Sequence, residues 1–132
     1  MEQGKRILVV DDDRDFLEAT RAILESQSYR VITARSGQEA LERARSEPPD
    51  LILLDIIMPG LDGFEVCRRL KQDPNLSHIP VMMITSFSER YMDTSLAMSQ
   101  GLTLEAEDFI DKPIVPPELL LRVERLLRRR SS

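Results

Sequence analysis

The sequence predicts an α/β fold in three layers, a doubly wound five-stranded parallel sheet flanked by five helices. Three observations lead there. Five short apolar runs recur along the chain, at 7–10, 31–34, 51–54, 81–84 and 109–110. Between them the apolar period changes from continuous to helical. The first, third and fourth runs do not alternate apolar with polar, so both of their faces must be covered, as in the middle of a parallel sheet. A chain of 132 residues fills one such domain and is too short for two. The expected layout is a single domain over 1–132, with its core at 5–128 and a basic tail at 128–132.

The elements follow in order. After the first run, Asp13 stands as a helix N-cap before the stripe Phe16, Thr20, Ile23 and Leu24. The second run is followed by Ser36 as a cap and by Gly37, Ala40, Leu41 and Ala44 on one face. Pro48 and Pro49 precede the third run, where a missing N–H does little harm, and Phe64, Cys67 and Leu70 mark the third helix. Pro80 precedes the fourth run. The segment 89–100 is less clearly patterned; a helix is expected there because a parallel connection requires one, with Gly101 closing it. The fifth run is the weakest. Pro116 and Pro117 then open a last helix carrying Leu120, Val123, Leu126 and Leu127. Right-handed crossovers with helices on both faces favour the strand order 2-1-3-4-5.

Composition narrows the function classes. Eighteen lysines and arginines against 23 acids leave a net charge of −5, which gives no overall field for nucleic acid, so direct nucleic-acid binding is not expected. The single cysteine, Cys67, makes neither an internal disulfide nor a thiolate metal cage and suits a cytoplasmic protein. No apolar stretch approaches bilayer length, and the residues after Met1 lack the apolar core of a signal peptide, so no membrane partner is expected.

In open α/β sheets, ligands bind beyond the carboxyl ends of the strands, where the strand order reverses. Here that point lies between strands 1 and 3. Strand 1 runs into Asp11, Asp12 and Asp13; strand 3 into Asp55; strand 4 ends at Thr85; Lys112 follows strand 5. One helix needs one cap, which accounts for Asp13 but not for Asp11 or Asp12. Asp55 ends the most apolar strand, and a buried carboxylate requires a partner. Three converging carboxylates repel one another, and a hard divalent cation removes the conflict. Oxygen-only ligands suit Mg²⁺ or Mn²⁺. With an ammonium from Lys112 and a hydroxyl from Thr85 beside them, the arrangement suits a phosphoryl group. A carboxylate at its centre can itself be the nucleophile, forming an acyl phosphate.

These residues resemble the receiver domain of two-component response regulators, with its CheY-like fold. The resemblance covers nearly the whole chain, about residues 5–128. It rests on Ile7-Leu8-Val9-Val10-Asp11-Asp12, on Leu53-Leu54-Asp55-Ile56-Ile57-Met58-Pro59-Gly60-Leu61-Asp62-Gly63, on Ile84-Thr85-Ser86 and on Asp111-Lys112-Pro113. Each piece alone is weak, and together, in this order and at these strand ends, they are specific. The resemblance implies that Asp55 accepts a phosphoryl group from a phosphohistidine on a sensor histidine kinase or histidine phosphotransfer protein. It implies that Asp12 binds Mg²⁺ directly, Asp11 largely through water, and that Asp55 and the backbone carbonyl of Ile57 complete the metal ligands. Lys112 pairs with Asp55 before reaction and with a phosphoryl oxygen after it. Thr85 moves to hydrogen-bond the phosphoryl group with Ser86 beside it, and Phe109 turns inward behind Thr85. The fourth helix, fifth strand and last helix then form the face read by a downstream effector protein or domain, with a phosphorylation-dependent homodimer as one form of output. Such a domain acts chemically on itself and is not an enzyme with an external substrate. Its start at Met1 and its end just after the last helix favour a stand-alone receiver.

Three features depart from the family pattern. Ser86 stands where alanine is common, and it is still small enough to leave access to Asp55. Ile57 and Phe87, two residues beyond Asp55 and Thr85, are apolar where side chains often govern the hydrolytic water, so a long-lived acyl phosphate is expected. The connection at 102–107 is a few residues longer than usual. Two rival readings remain. A Mg²⁺-dependent phosphohydrolase would use Asp11 as nucleophile and Asp13 as acid, leaving Asp55 unexplained. A flavodoxin-like carrier would need a phosphate loop where three aspartates stand. Cys67, Met82, Met83, Met92 and Met98 read as packing, His78 as a solvated loop residue, and the arginine-rich end as the cationic last turn of a helix.

Overall fold

The computed structural model describes residues 4–85 and 105–131, in which strands and helices alternate along the chain. They are β1 (Arg6–Val10), α1 (Arg14–Glu25), β2 (Arg30–Ala34), α2 (Gly37–Ser46), β3 (Leu51–Asp55), α3 (Gly63–Gln72), β4 (Val81–Thr85), β5 (Asp108–Asp111) and α4 (Pro116–Ser131). The strands form one sheet in the order β2-β1-β3-β4-β5, and each neighbouring pair is parallel. The expected order is therefore observed. Four helices rather than five stand among the described residues; the helix expected at 89–100, with Gly101, Ser86, Phe87, Met92 and Met98, lies outside them.

The central strands are apolar because both of their faces are covered. Side chains alternate across the sheet, and the alternation sorts the core into two halves. Leu8, Val10, Ile52, Leu54, Val81 and Met83 pack with Ala40, Leu41 and Ala44 of α2 and Val66, Cys67 and Leu70 of α3. Ile7, Val9, Leu51, Leu53, Met82, Ile84 and Ile110 pack on the opposite face with Leu17 and Leu24 of α1 and Leu119, Val123, Leu126 and Leu127 of α4. The helical stripes sit slightly off the expected ones. Leu17 and Leu119 are buried, while Phe16, Ile23 and Leu120 lie at the margin of the core. An apolar face about two rows wide allows this shift without changing the period.

Caps and turns close the elements as their chemistry requires. The Asp13 carboxylate accepts the backbone N–H groups of Asp15 at 2.9 Å and Phe16 at 3.4 Å. Ser36 accepts the N–H of Glu39 at 3.1 Å, and Asp62 that of Glu65 at 2.9 Å. Each satisfies donors that the first helical turn leaves open. Glu107, just before β5, is tied down at the end of the sheet opposite the acidic residues. Glu107 accepts the N–H of Val81 at 2.7 Å and pairs with Lys71 at 3.0 Å, and Lys71 also donates to the carbonyl of Ile79 at 2.9 Å. Burial pushes the Cys67 thiol up to about 11, the behaviour of a packing residue. His78 is exposed, and Met82 and Met83 are fully buried. No helix among the described residues is long and apolar enough to cross a membrane.

Gly63 decides how closely α3 approaches the end of β3. Its N–H donates to the carbonyl of Ile56 at 2.7 Å. A Cβ there would fall 2.7 Å from Ile56 Cα and press on the Asp55 carbonyl, both of them backbone. Helix propensity alone would make Gly63→Ala stabilising by about 1 kcal/mol. The contact reverses the sign, and a loss of roughly 1–3 kcal/mol is expected in denaturant unfolding. A neutral or more stable variant would contradict this packing.

Candidate functional site

The carboxyl ends of β1, β3 and β5 bring four charged side chains together. Asp11 follows β1, and its backbone N–H is bound to the carbonyl of Ala34 at 3.1 Å, which continues the β1–β2 ladder by one residue. Its side chain is buried, and Oδ1 accepts the N–H of Asp13 at 2.8 Å. Asp55 is the last residue of β3 and is 3% exposed. Asp12 is exposed on the rim. One oxygen from each of Asp11, Asp12 and Asp55 lies within 4.8 Å of the others. Lys112, one residue beyond β5, places Nζ 2.9 Å from Asp11 Oδ2 and 3.9 Å from Asp55 Oδ1. The same ammonium lies 4.5 Å over the ring of Phe16 on α1, a favourable cation–π placement. The ammonium thus bridges Asp11 and Asp55, nearer to Asp11 than the expected pairing with Asp55 alone.

Among the described residues the cluster holds three acids against one ammonium, and the electrostatics follow from that. The Asp11 carboxyl is raised above its ordinary value of 3.8, first by burial and to a smaller degree by the charge of Asp12. The N–H of Asp13 and the ammonium of Lys112 pull in the other direction without cancelling the effect of burial. An all-oxygen donor set, close-spaced and short of positive charge, fits a hard divalent cation and does not fit a soft one. Ile57, two residues after Asp55, turns its side chain outward at 41% exposure. Beside Lys112 opens a shallow recess with largely apolar walls, formed by Phe16, Ala19, Ile23, Pro113 and Ile114.

Thr85 behaves differently. It is fully buried at the end of β4, and by strand alternation its side chain projects to the α2–α3 side of the sheet, whereas Asp55 projects to the α1–α4 side. Its hydroxyl donates to Asp111 Oδ1 at 2.7 Å. Phe109, two residues before Asp111 on the same face, is half-buried against the α2–α3 core. Of the expected site residues, the structure groups Asp11, Asp12, Asp55 and Lys112, and it places Thr85 at the adjoining strand end with its hydroxyl on Asp111. Ser86 is outside the described residues. Sequence reasoning assigned no role to Asp111. The parallel register that pairs Thr85 with Asp111 was the signal that could have found it.

Comparison with known proteins adds the following. The family of response regulator receiver domains matches residues 7–124. The chain is 44% identical over 126 residues to the alkaline phosphatase synthesis transcriptional regulatory protein PhoP of Bacillus subtilis, covering 96% of this chain and 50% of that protein. It is 46% identical over 123 residues to the response regulator PleD of Caulobacter vibrioides, covering 93% of this chain and 26% of that protein. The chain therefore spans about half or a quarter of the length of these relatives. Among solved structures, the signal receiver domain of a signal transduction histidine kinase from Syntrophus aciditrophicus is similar, with a TM-score of 0.82 and 37% identity. The likeness covers 95% of this chain and 91% of that one.

The raised carboxyl of Asp11 has a consequence for stability. Since its folded value lies above its unfolded one, the folded protein binds the extra proton, and the cost of an ionised Asp11 is present at neutral pH. That cost fades as the pH falls towards 3.8. In buffer free of divalent cations, Asp11→Asn is expected to melt at a higher temperature than the wild type at pH 7. The gap should narrow as the buffer is acidified. A variant less stable than the wild type at pH 7 would contradict the charge imbalance.

Proposed function

Since the chain belongs to the response regulator receiver domain family, we propose that Asp55 is the carboxylate that takes up a phosphoryl group. The donor is a phosphohistidine of a sensor histidine kinase or histidine phosphotransfer protein. An Asp55 carboxylate oxygen attacks phosphorus in line with the imidazole nitrogen, the P–O bond forming as the P–N bond breaks, and the product is an acyl phosphate. The observation that supports this reading is the grouping of Asp11, Asp12 and Asp55 within 4.8 Å, with the Lys112 ammonium between Asp11 and Asp55.

Each side chain has a task that follows from its position. Asp12, Asp11 (through water), Asp55 and the carbonyl of Ile57 would hold Mg²⁺, with Mn²⁺ as a substitute. When bound, the cation supplies charge neutralisation for the phosphoryl oxygens. Lys112 holds Asp55 in place and then meets the new negative charge on the phosphoryl group. Thr85 carries the hydroxyl that turns to a phosphoryl oxygen, and Phe109 follows it on the same face of the sheet. Ser86, next to Thr85 in the chain, completes the phosphoryl-binding set. The face of β5 and α4, together with the helix expected at 89–100, passes the change to an effector protein or domain, or to a second copy of the chain. The whole described chain acts as one receiver domain in the cytoplasm, and its chemistry is confined to its own Asp55.

The phosphohydrolase alternative is disfavoured by one observation. Its acid would be Asp13, whose carboxylate already accepts two backbone N–H groups as the cap of α1. Incubation with acetyl phosphate and Mg²⁺ should add one phosphoryl group to the wild type and none to Asp55→Asn, as read by intact-protein mass. After removal of the donor the label should outlast the first minutes, because Ile57 offers no group to activate water. An unmodified wild type would contradict the assignment, and loss within seconds would contradict the role given to Ile57.

A further inference from the structure

The hydrogen bond between Thr85 and Asp111 brings a fourth acidic group beside the site. A threonine hydroxyl carries one proton and can donate it to one acceptor at a time, and a carboxylate can only accept. In this structure that proton is directed to Asp111 Oδ1 at 2.7 Å, within the short range of hydrogen bonds to charged acceptors. Thr85 is fully buried, so water does not compete for the hydroxyl, while Asp111 is exposed at the edge strand. Both residues are held in place. They are register partners at the ends of β4 and β5, and the N–H of Lys112 is bonded to the Thr85 carbonyl at 2.5 Å. Their side chains share the α2–α3 face, opposite to that of Asp55. The hydroxyl therefore leaves Asp111 before it reaches a phosphoryl oxygen on Asp55.

We propose that Asp111 is a positioning residue that holds the Thr85 hydroxyl in the resting arrangement and competes with the phosphoryl group for it. This rests on the assignment of Asp55 as phosphoacceptor. Asp111 sets how readily the phosphorylated arrangement forms, through the donor it keeps occupied and without touching the reacting atoms. Its position directly before Lys112 couples the two halves of the site. The same short segment that supplies the ammonium to Asp11 and Asp55 also withholds the hydroxyl.

The test uses beryllium fluoride with Mg²⁺, a non-hydrolysable phosphoryl mimic, titrated into the whole chain and read by tryptophan-free methods such as calorimetry or amide NMR. Asp111→Ala is expected to bind the mimic about three- to ten-fold tighter than the wild type, the worth of one released hydrogen bond. Removing a negative charge near an anion would tighten binding by itself, and two variants separate the causes. Asp111→Asn removes the charge and keeps an acceptor for the hydroxyl, a weaker neutral one, so its gain in affinity should be smaller than that of Asp111→Ala. In a Thr85→Val background, where no hydroxyl exists to release, Asp111→Ala should change nothing. Unchanged or weaker binding by Asp111→Ala, a gain in Asp111→Asn as large as that of Asp111→Ala, or the same gain with valine at 85 would each overturn the proposal. Absence of any mimic binding by the wild type would instead overturn the Asp55 assignment, and this proposal with it.

Discussion

Three carboxylates at the ends of β1 and β3 are held close enough to share one cation, and the described residues supply them with a single ammonium. Such a shortage of positive charge is unfavourable in a partly buried place, and the rest of the architecture bears the cost. The strands beneath are apolar on both faces, and residues of β3 are buried along its entire length. That burial keeps Asp55 from turning out into water. The raised carboxyl of Asp11 is the local sign of the same strain. A site that is short of positive charge before any ligand arrives gains most from a cation and from the charges that come with it. Fold and receptivity are two consequences of one arrangement.

Strand alternation then divides the labour. Asp55 stands on the α1–α4 side of the sheet, and Lys112, arriving past the end of β5, lies against Phe16 of α1. Thr85, Asp111 and Phe109 belong to the α2–α3 side. The groups proposed to bind and react thus lie on the opposite side of the sheet from the groups proposed to respond. On the proposed reading, a change at Asp55 reaches Phe109 by way of the Thr85 hydroxyl and the ends of β4 and β5. A hydroxyl that leaves Asp111 for a phosphoryl oxygen, as proposed, would be a bistable element of the kind that converts a local charge into a change of surface.

Much of this was legible in the sequence. Continuous apolar runs identified the central strands, and the turn residues Asp13, Ser36 and Pro116 fixed where helices begin. The carboxyl-end rule then collected Asp11, Asp12, Asp55 and Lys112 without knowledge of any contact. Periodicity was less able to choose between adjacent rows of a helix, so Leu17 and Leu119 replaced Phe16 and Leu120 as the buried residues. It also ended the third strand one residue early, because a polar residue such as Asp55 interrupts an apolar run while its backbone continues the ladder. The partner of Thr85 was not read at all. Hydrogen bonding between strands depends on register, and β5 was the weakest run in the chain.

The central claim is that the acidic cluster between β1 and β3 forms one cation site. Amide NMR with sub-stoichiometric Mn²⁺ tests it most directly, since paramagnetic broadening falls off steeply with distance from the ion. The account predicts one saturable site, with signals of residues 11, 12, 55 and 57 broadened first and Mg²⁺ restoring them in competition. Broadening centred elsewhere on the surface, or none that Mg²⁺ reverses, would contradict it.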